Sequence, residues 1–148
     1  MISKIYSATC IGINGISITI EVDDCLSLPN IMIVGLPDQA IKESKDRVRS
    51  AITNSGFKIP QKKFTVNLAP ADVKKEGPGF DLPIALGILA QMGEIERAVA
   101  EKYVFVGELA LDGVIRPVPG TLSMALSLKE QRKVLVVPDR KSTRLNSS

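Results

Sequence analysis

One stretch restricts what this chain can fold into more than any other: Lys74-Lys75-Glu76-Gly77-Pro78-Gly79-Phe80-Asp81-Leu82-Pro83, running directly into Ile84-Ala85-Leu86-Gly87-Ile88-Leu89-Ala90. It reads as a glycine-rich loop feeding a buried helix. Gly77 and Gly79 can take backbone angles closed to other residues, Asp81 is a good N-cap, and Pro83 falls in the first turn, where its missing N–H costs little. From Leu82 to Met92 nearly every side chain is apolar or small, which predicts a helix enclosed on most sides at the centre of the domain. A loop joined to such a helix is held rigidly.

A loop of this kind combines exposed backbone N–H groups with the positive end of a helix, so it could seat a phosphate or a nucleophile. A P-loop needs Gly-x-x-x-x-Gly-Lys-Ser/Thr, whereas Gly77 to Gly79 is followed by Phe80 and Asp81, which excludes that nucleotide site. No Ser, Thr or Cys occurs from Ala71 to Leu111, so the loop has the scaffold of a catalytic turn without the reacting atom. It reads as structural or as a partner contact.

A chain of 148 residues, 45% of them hydrophobic, supports one domain with a real core. Aromatic residues make up 4% and Trp is missing, so stacking platforms for single-stranded nucleic acid are scarce. Cys10 and Cys25 sit in apolar-rich segments without a partner at metal-ligand spacing, and the chain has no histidine. They read as free buried thiols, with a disulfide between adjacent strands as the alternative. The missing histidine also removes the commonest general base and zinc ligand. No run is long and apolar enough to span a membrane and no signal peptide precedes the domain, so the expected location is cytoplasmic.

Along the chain, Ile13-Asn14-Gly15 predicts a hairpin turn whose second strand, Ile16 to Val22, alternates with Ile16, Ile18, Ile20 and Val22 on the core face. The other face of the sheet is expected to be wet. Asp23 to Asn30 reads as a loop and Ile31-Met32-Ile33-Val34-Gly35 as an internal strand. Asp38 caps a helix carrying Ala40, Ile41, Val48, Ala51 and Ile52 inward and the pairs Lys42/Asp46 and Glu43/Arg47 outward. Phe64 to Leu68 is a strand. Tyr103 to Leu109 is a strand that Leu111-Asp112-Gly113-Val114 turns into Ile115-Arg116-Pro117 as a hairpin, Thr121 caps a helix with Leu122, Ala125, Leu126 and Leu128 that ends near Arg132, and Val134 to Val137 is a buried strand.

Between Lys58 and Lys75 the bases Lys58, Lys62, Lys63, Lys74 and Lys75 meet only Asp72. They predict a basic rim around one sheet end that could contact phosphates, although such lysines also serve solubility and edge protection. The net charge of +3 carries no such meaning. Arg140, Lys141 and Arg144 supply it, and without those three the 19 bases fall to 16 against 16 acids. Residues 140 to 148 show neither periodicity nor core residues and read as a non-native tail, with the native protein continuing beyond Asp139.

Four ordered motifs carry a family resemblance: Val34-Gly35-Leu36-Pro37-Asp38; Asn67-Leu68-Ala69-Pro70-Ala71-Asp72; Glu76 to Pro83; and Val106-Gly107-Glu108-Leu109 with Gly113 and Arg116-Pro117-Val118. Over residues 1 to 139 the chain resembles the ChlI-type N-terminal domain of the YifB/ComM family of magnesium-chelatase-like AAA+ ATPases. That arrangement is similar to the proteolytic domain of Lon and the C-terminal domain of the RadA recombinase, and implies an α/β fold, ribosomal protein S5 domain 2-like, with a mixed sheet packed with helices.

The Lon resemblance implies a serine in the glycine-rich loop and a lysine after a Gly-Gly turn. Those positions fall on Gly79 and on Leu122, so the scaffold is expected without the peptidase chemistry. The alternative is a displaced active site using Ser123 or Thr121 with a nearby lysine, although Lys129 falls two turns on along the helix, and a third reading is a stand-alone oligomerising or binding module. The family resemblance implies a downstream motor domain holding ATP and Mg2+, a hexameric ring as the full-length assembly, and action on DNA. In this chain it implies no cofactor, and the loop Glu76, Gly77, Pro78, Gly79, Phe80 and Asp81 together with the five lysines are the candidate partner or DNA contacts.

Overall fold

The computed structural model describes residues 1–128 and 134–138, and the backbone of 143–144. The chain opens with a hairpin of β1 (Ser3–Ile11) and β2 (Asn14–Cys25), then β3 (Asn30–Val34), α1 (Gln39–Lys42), α2 (Ser44–Asn54) and β4 (Lys63–Ala69). A 3-10 turn (Pro78–Phe80) leads into α3 (Asp81–Gln91), followed by α4 (Arg97–Ala100), β5 (Tyr103–Phe105), β6 (Glu108–Leu109), β7 (Val114–Arg116), α5 (Thr121–Leu128), β8 (Val134–Val136) and β9 (Thr143–Arg144). Six strands form one mixed sheet in the order β3-β4-β2-β1-β5-β8, and β6-β7-β9 form a second. The fold is therefore the mixed α/β class the sequence predicts.

Strand periodicity builds the core. Ile18, Ile20 and Val22 of β2, Ile5 of β1 and Phe64, Val66 and Leu68 of β4 face one side of the sheet and are buried. On that side lie α3, with Ile84, Ala85, Ile88 and Leu89 buried, and α2, with Val48, Ala51 and Ile52. Each of the larger side chains among them contributes roughly 2 kcal/mol on burial. Gly87 lets α3 approach the sheet, since a Cβ there would stand 2.6 Å from Val22 Cγ2. The enclosed central helix read from the sequence is thus present, with Leu86 as its half-buried exception.

Several local expectations are corrected. The hairpin turn is Gly12-Ile13, because Ile11 pairs with Asn14; Gly12 at φ 63 supplies the positive angle that such a turn needs at its first central residue. β2 continues through Asp23 and Asp24 to Cys25, paired with β4 as far as Lys63. β3 is an edge strand rather than an internal one. The helix after Asp38 breaks at Glu43 into α1 and α2. The second face of the sheet is not simply wet: Met124 and Leu128 of α5 pack there on Ala8, Val104 and Val106, because Ala8 alternates with Ile5 and Ser7 across β1. Leu122, Ala125 and Leu126 point outward instead. Cys25 is exposed, Cys10 is half-buried, and both thiols are free.

Thr143–Arg144, within residues 140 to 148, forms an extended pair against Val114 and Ile115; the expected end of the α5 helix near Arg132, and Lys129, lie outside the described residues. Among the described residues no helix is long and apolar enough to cross a membrane.

Candidate functional site

The glycine-rich loop is fastened at both ends by carboxylates, half-buried Asp38 at one and fully buried Asp81 at the other. Asp38 caps α1 as expected, its Oδ1 accepting from Ile41 N at 2.9 Å, and its Oδ2 accepts from Gly77 N at 2.9 Å. Gly77 takes φ 85, a left-handed angle that glycine reaches without strain. Beyond it, Gly107 N donates to Gly79 O at 2.9 Å and Leu82 N donates to Gly107 O at 3.0 Å. The loop is thereby stitched to the Val106-Gly107-Glu108-Leu109 motif.

Asp81 is not the N-cap of α3. It is the first residue of that helix, fully buried, and Phe80 in the cap position offers no side-chain hydrogen bond. Burial of a carboxylate requires partners, and Asp81 has them: Ser44 Oγ donates to Oδ1 at 2.5 Å, Arg47 Nε donates to Oδ2 at 2.7 Å, Arg47 Nη2 donates to Oδ1 at 3.1 Å, and Leu109 N donates to Oδ2 at 3.0 Å. Arg47 Nη2 also reaches Ala40 O at 2.8 Å. The Asp81 hydrogen bond raises the guanidinium pKa further above its already high value. This bidentate pair ties α2, α3 and β6 together. Sequence reasoning missed it by reading Arg47 as an outward partner of Glu43, which it meets at only 3.8 Å. The available signal was an acid between Phe80 and Leu82, a setting that demands a cation from elsewhere.

Above this frame lies a cleft of about 410 Å³ bounded by the end of β1, the loop, and the Val118-Pro119 turn. Its polar wall is Thr9, Cys10, Asp38 and Glu76. Cys10 Sγ donates to Gly120 O at 3.3 Å, a carbonyl rather than a base. Both oxygens of Asp38 accept backbone N–H groups. Gly79 lines the cleft and a Cβ there would meet Val118 Cγ1 at 3.3 Å. Leu122 lies outside it, 73% exposed on α5. Thr121 is the first residue of α5 and not its cap, since Gly120 O accepts the first helical bond from Met124 N. The residues present do not fit a nucleotide phosphate: the helix start is occupied by the Asp81 carboxylate, and no lysine follows the glycines.

The five lysines do not surround one sheet end. Lys58, Lys62 and Lys63 stand at the start of β4 and Lys74 and Lys75 beyond its end, separated by a seven-residue strand, a span of about 23 Å at roughly 3.3 Å per residue. Lys62 is paired with Asp24 at 2.9 Å and Lys74 with Glu76 at 3.7 Å. Lys75 is no surface contact at all. It is fully buried, its Nζ donating to Gly35 O at 2.7 Å and to Pro70 O, and burial pushes its pKa down. Its backbone completes the clasp, with Lys75 N donating to Leu36 O and Asp38 N donating to Lys75 O, both at 3.1 Å. A carbonyl-lined lysine leaves no trace in charge patterning, so sequence alone could not separate it from its neighbour.

Fold and site together define a small mixed α/β domain that holds a glycine-rich loop rigidly beside a cleft. A family model described as subunit ChlI of Mg-chelatase matches residues 20–141, and the chain belongs to that family. It is 46% identical over 139 residues to the uncharacterized protein YifB of Escherichia coli, covering 93% of this chain. It is 44% identical over 133 residues, 90% of the chain, to the competence protein ComM of Haemophilus influenzae. A protein of Mycobacterium tuberculosis is 37% identical over 138 residues. The chain spans only 28%, 26% and 27% of the lengths of these three relatives.

Proposed function

We propose that this chain is a non-catalytic accessory domain of an AAA+ ATPase that processes DNA, with ATP and Mg2+ held by a separate motor domain and the whole assembling as a hexameric ring. The observation that carries the reading is the fastened loop beside a cleft whose lining residues include no hydroxyl paired with a base. Asp38 and Lys75 are committed to backbone groups and Asp81 to Arg47, Ser44 and Leu109 N, so the loop is built for rigidity rather than for proton transfer. The competence role printed for the ComM relative favours a DNA substrate over a peptide one. The Lon-like scaffold, in this reading, serves contacts between subunits.

For DNA the cluster Lys58, Lys62 and Lys63 at the start of β4 is the better candidate, because it brings three bases together, with Lys58 exposed and Lys62 and Lys63 half-buried, whereas Lys75 is inaccessible. The purified chain is expected to turn over neither ATP nor peptide, and to bind duplex DNA with an affinity that falls as salt rises. Replacing Lys62 and Lys63 by alanine should reduce the slope of log affinity against log salt by about 2, near 0.9 per lost phosphate contact. Reproducible turnover would overturn the accessory role, and an unchanged slope would move the DNA contacts elsewhere.

A further inference from the structure

Lys75 is a cation buried without an anion. Its side chain is fully covered, its Nζ donates to Gly35 O at 2.7 Å and to Pro70 O, and among the described residues no carboxylate forms an ion pair with it. Asp72, the acid that acts on it electrostatically, is itself exposed. Burying an unpaired charge is costly, so dipoles must stand in for the lost water. Backbone carbonyls are the groups that replace the hydration shell of potassium in this way. Both carbonyls lie at one end of the sheet, since Gly35 and Pro70 follow directly on two parallel neighbours, β3 and β4. The turn after β3 is shaped to aim its share. Gly35 at φ 104 and Leu36 at φ 58 are consecutive left-handed residues, an angle that leucine seldom takes, and a Cβ on Gly35 would stand 2.2 Å from Leu68 O. This turn presents Gly35 O to the Lys75 ammonium and Leu36 O to the Lys75 N–H, the latter at 3.1 Å.

The first half of the glycine-rich loop hangs from this point. Lys75 O accepts from Asp38 N at 3.1 Å, and Asp38 Oδ2 in turn accepts from Gly77 N at 2.9 Å. Asp38, Glu76 and Gly77, which form one wall of the cleft, therefore follow the position of Lys75. The far end of the loop is tied separately, through Asp81 and Gly107. We propose that the junction of β3, β4 and the glycine-rich loop is a site for a small monovalent cation, filled from within by the Lys75 ammonium, and that this wall of the cleft keeps its place only while a cation sits there. Deleting the side chain opens the site to an alkylammonium ion from solution. The inference does not depend on the accessory role proposed above.

Amide hydrogen exchange followed by NMR tests this, because it reads the two fastenings apart. Lys75→Ala deletes the n-propylammonium portion of the side chain and leaves the Gly35 and Pro70 carbonyls without their donor. The Asp38 and Gly77 amides should then exchange at least about tenfold faster than in wild type, while the Leu82 and Leu109 amides should hold their rates. Tens of millimolar n-propylammonium chloride should restore most of the protection. Neither 1-propanol, which lacks the charge, nor tetramethylammonium chloride, which lacks N–H donors, should do so. Lys75→Met, which keeps the length and packing without the charge, should lose protection as the alanine variant does. If Lys75→Ala does not fold, refolding from urea with and without n-propylammonium replaces the exchange measurement, and recovery only with that cation is the expected result. Wild-type protection in either variant overturns the proposal, as does equal acceleration at Leu82 and Leu109. So does rescue by propanol or tetramethylammonium as full as that by n-propylammonium, or a variant that n-propylammonium leaves unprotected or unfolded.

Discussion

At the scale of single residues, the structure rests on ionisable groups that touch no ligand. Asp81 accepts from three residues on two elements, and its loss leaves Arg47, whose side chain is 21% exposed, with only the longer 3.8 Å contact to Glu43. Asp81→Asn keeps the shape and removes the charge. Breaking a buried pair costs about 3 to 5 kcal/mol, and the partial exposure of Arg47 places this one near the lower end. Urea unfolding of the variant should therefore show a loss of about 3 kcal/mol, and a loss under about 1 kcal/mol would mean that the pair is incidental. The sequence located Asp81 but gave it a capping role, because an acid at a helix start fits that role in most contexts. Which acid is buried depends on what comes to lie over it, here β6, and periodicity carries no such information.

Among elements, the end of α3 shows how two long-range contacts reinforce each other. Gln91 Nε2 donates to Asp24 Oδ1 at 2.7 Å and to Met1 O at 2.7 Å, and its Oε1 accepts from Ser3 Oγ at 2.7 Å. Lys62 Nζ donates to the other oxygen of Asp24 at 2.9 Å. Hydrogen bonding from Gln91 first, and then from Lys62, holds the Asp24 carboxyl below its ordinary value of 3.8. A carboxyl that titrates lower in the folded than in the unfolded chain stabilises the fold above the unfolded pKa. That contribution is lost as pH falls through the folded one. Asp24→Asn should thus lower the urea midpoint at neutral pH and flatten its decline below about pH 4. Parallel acid limbs for the two proteins would exclude Asp24 as a source of that decline. The strand that carries Asp24 was legible only to Val22, since Asp23 and Asp24 break the apolar alternation while the backbone continues in register with β4. Similarly, α5 was found by its apolar residues, yet the inward face belongs to Met124 and Leu128. Helical spacing marks a face without saying which side meets the sheet.

For the whole molecule, the mixed α/β class and the central helix could both be read from residue order, because each rests on local spacing. The sheet order could not: β1 lies beside β5 and β3 lies at the margin through crossovers that no short window contains. The lysines failed for the same reason, being close in sequence but standing at opposite ends of one strand. The fastening of Asp81 has a further consequence for how the chain is made. Ser44 and Arg47 precede it by 37 and 34 residues, whereas Leu109 follows it by 28. A ribosome emitting this chain delivers the carboxylate and its first partners well before the last donor, and β1 waits longer still for β5, 98 residues from Ser7 to Phe105. Nascent chains exposed only to Lys102 should be cut readily by protease, and those exposed to Arg116 should resist. Resistance already complete at the shorter length would mean that the hairpin, β4 and α3 close without the Gly107 motif. Until that motif clears the exit tunnel, the half-made domain offers its edges to chaperones and proteases.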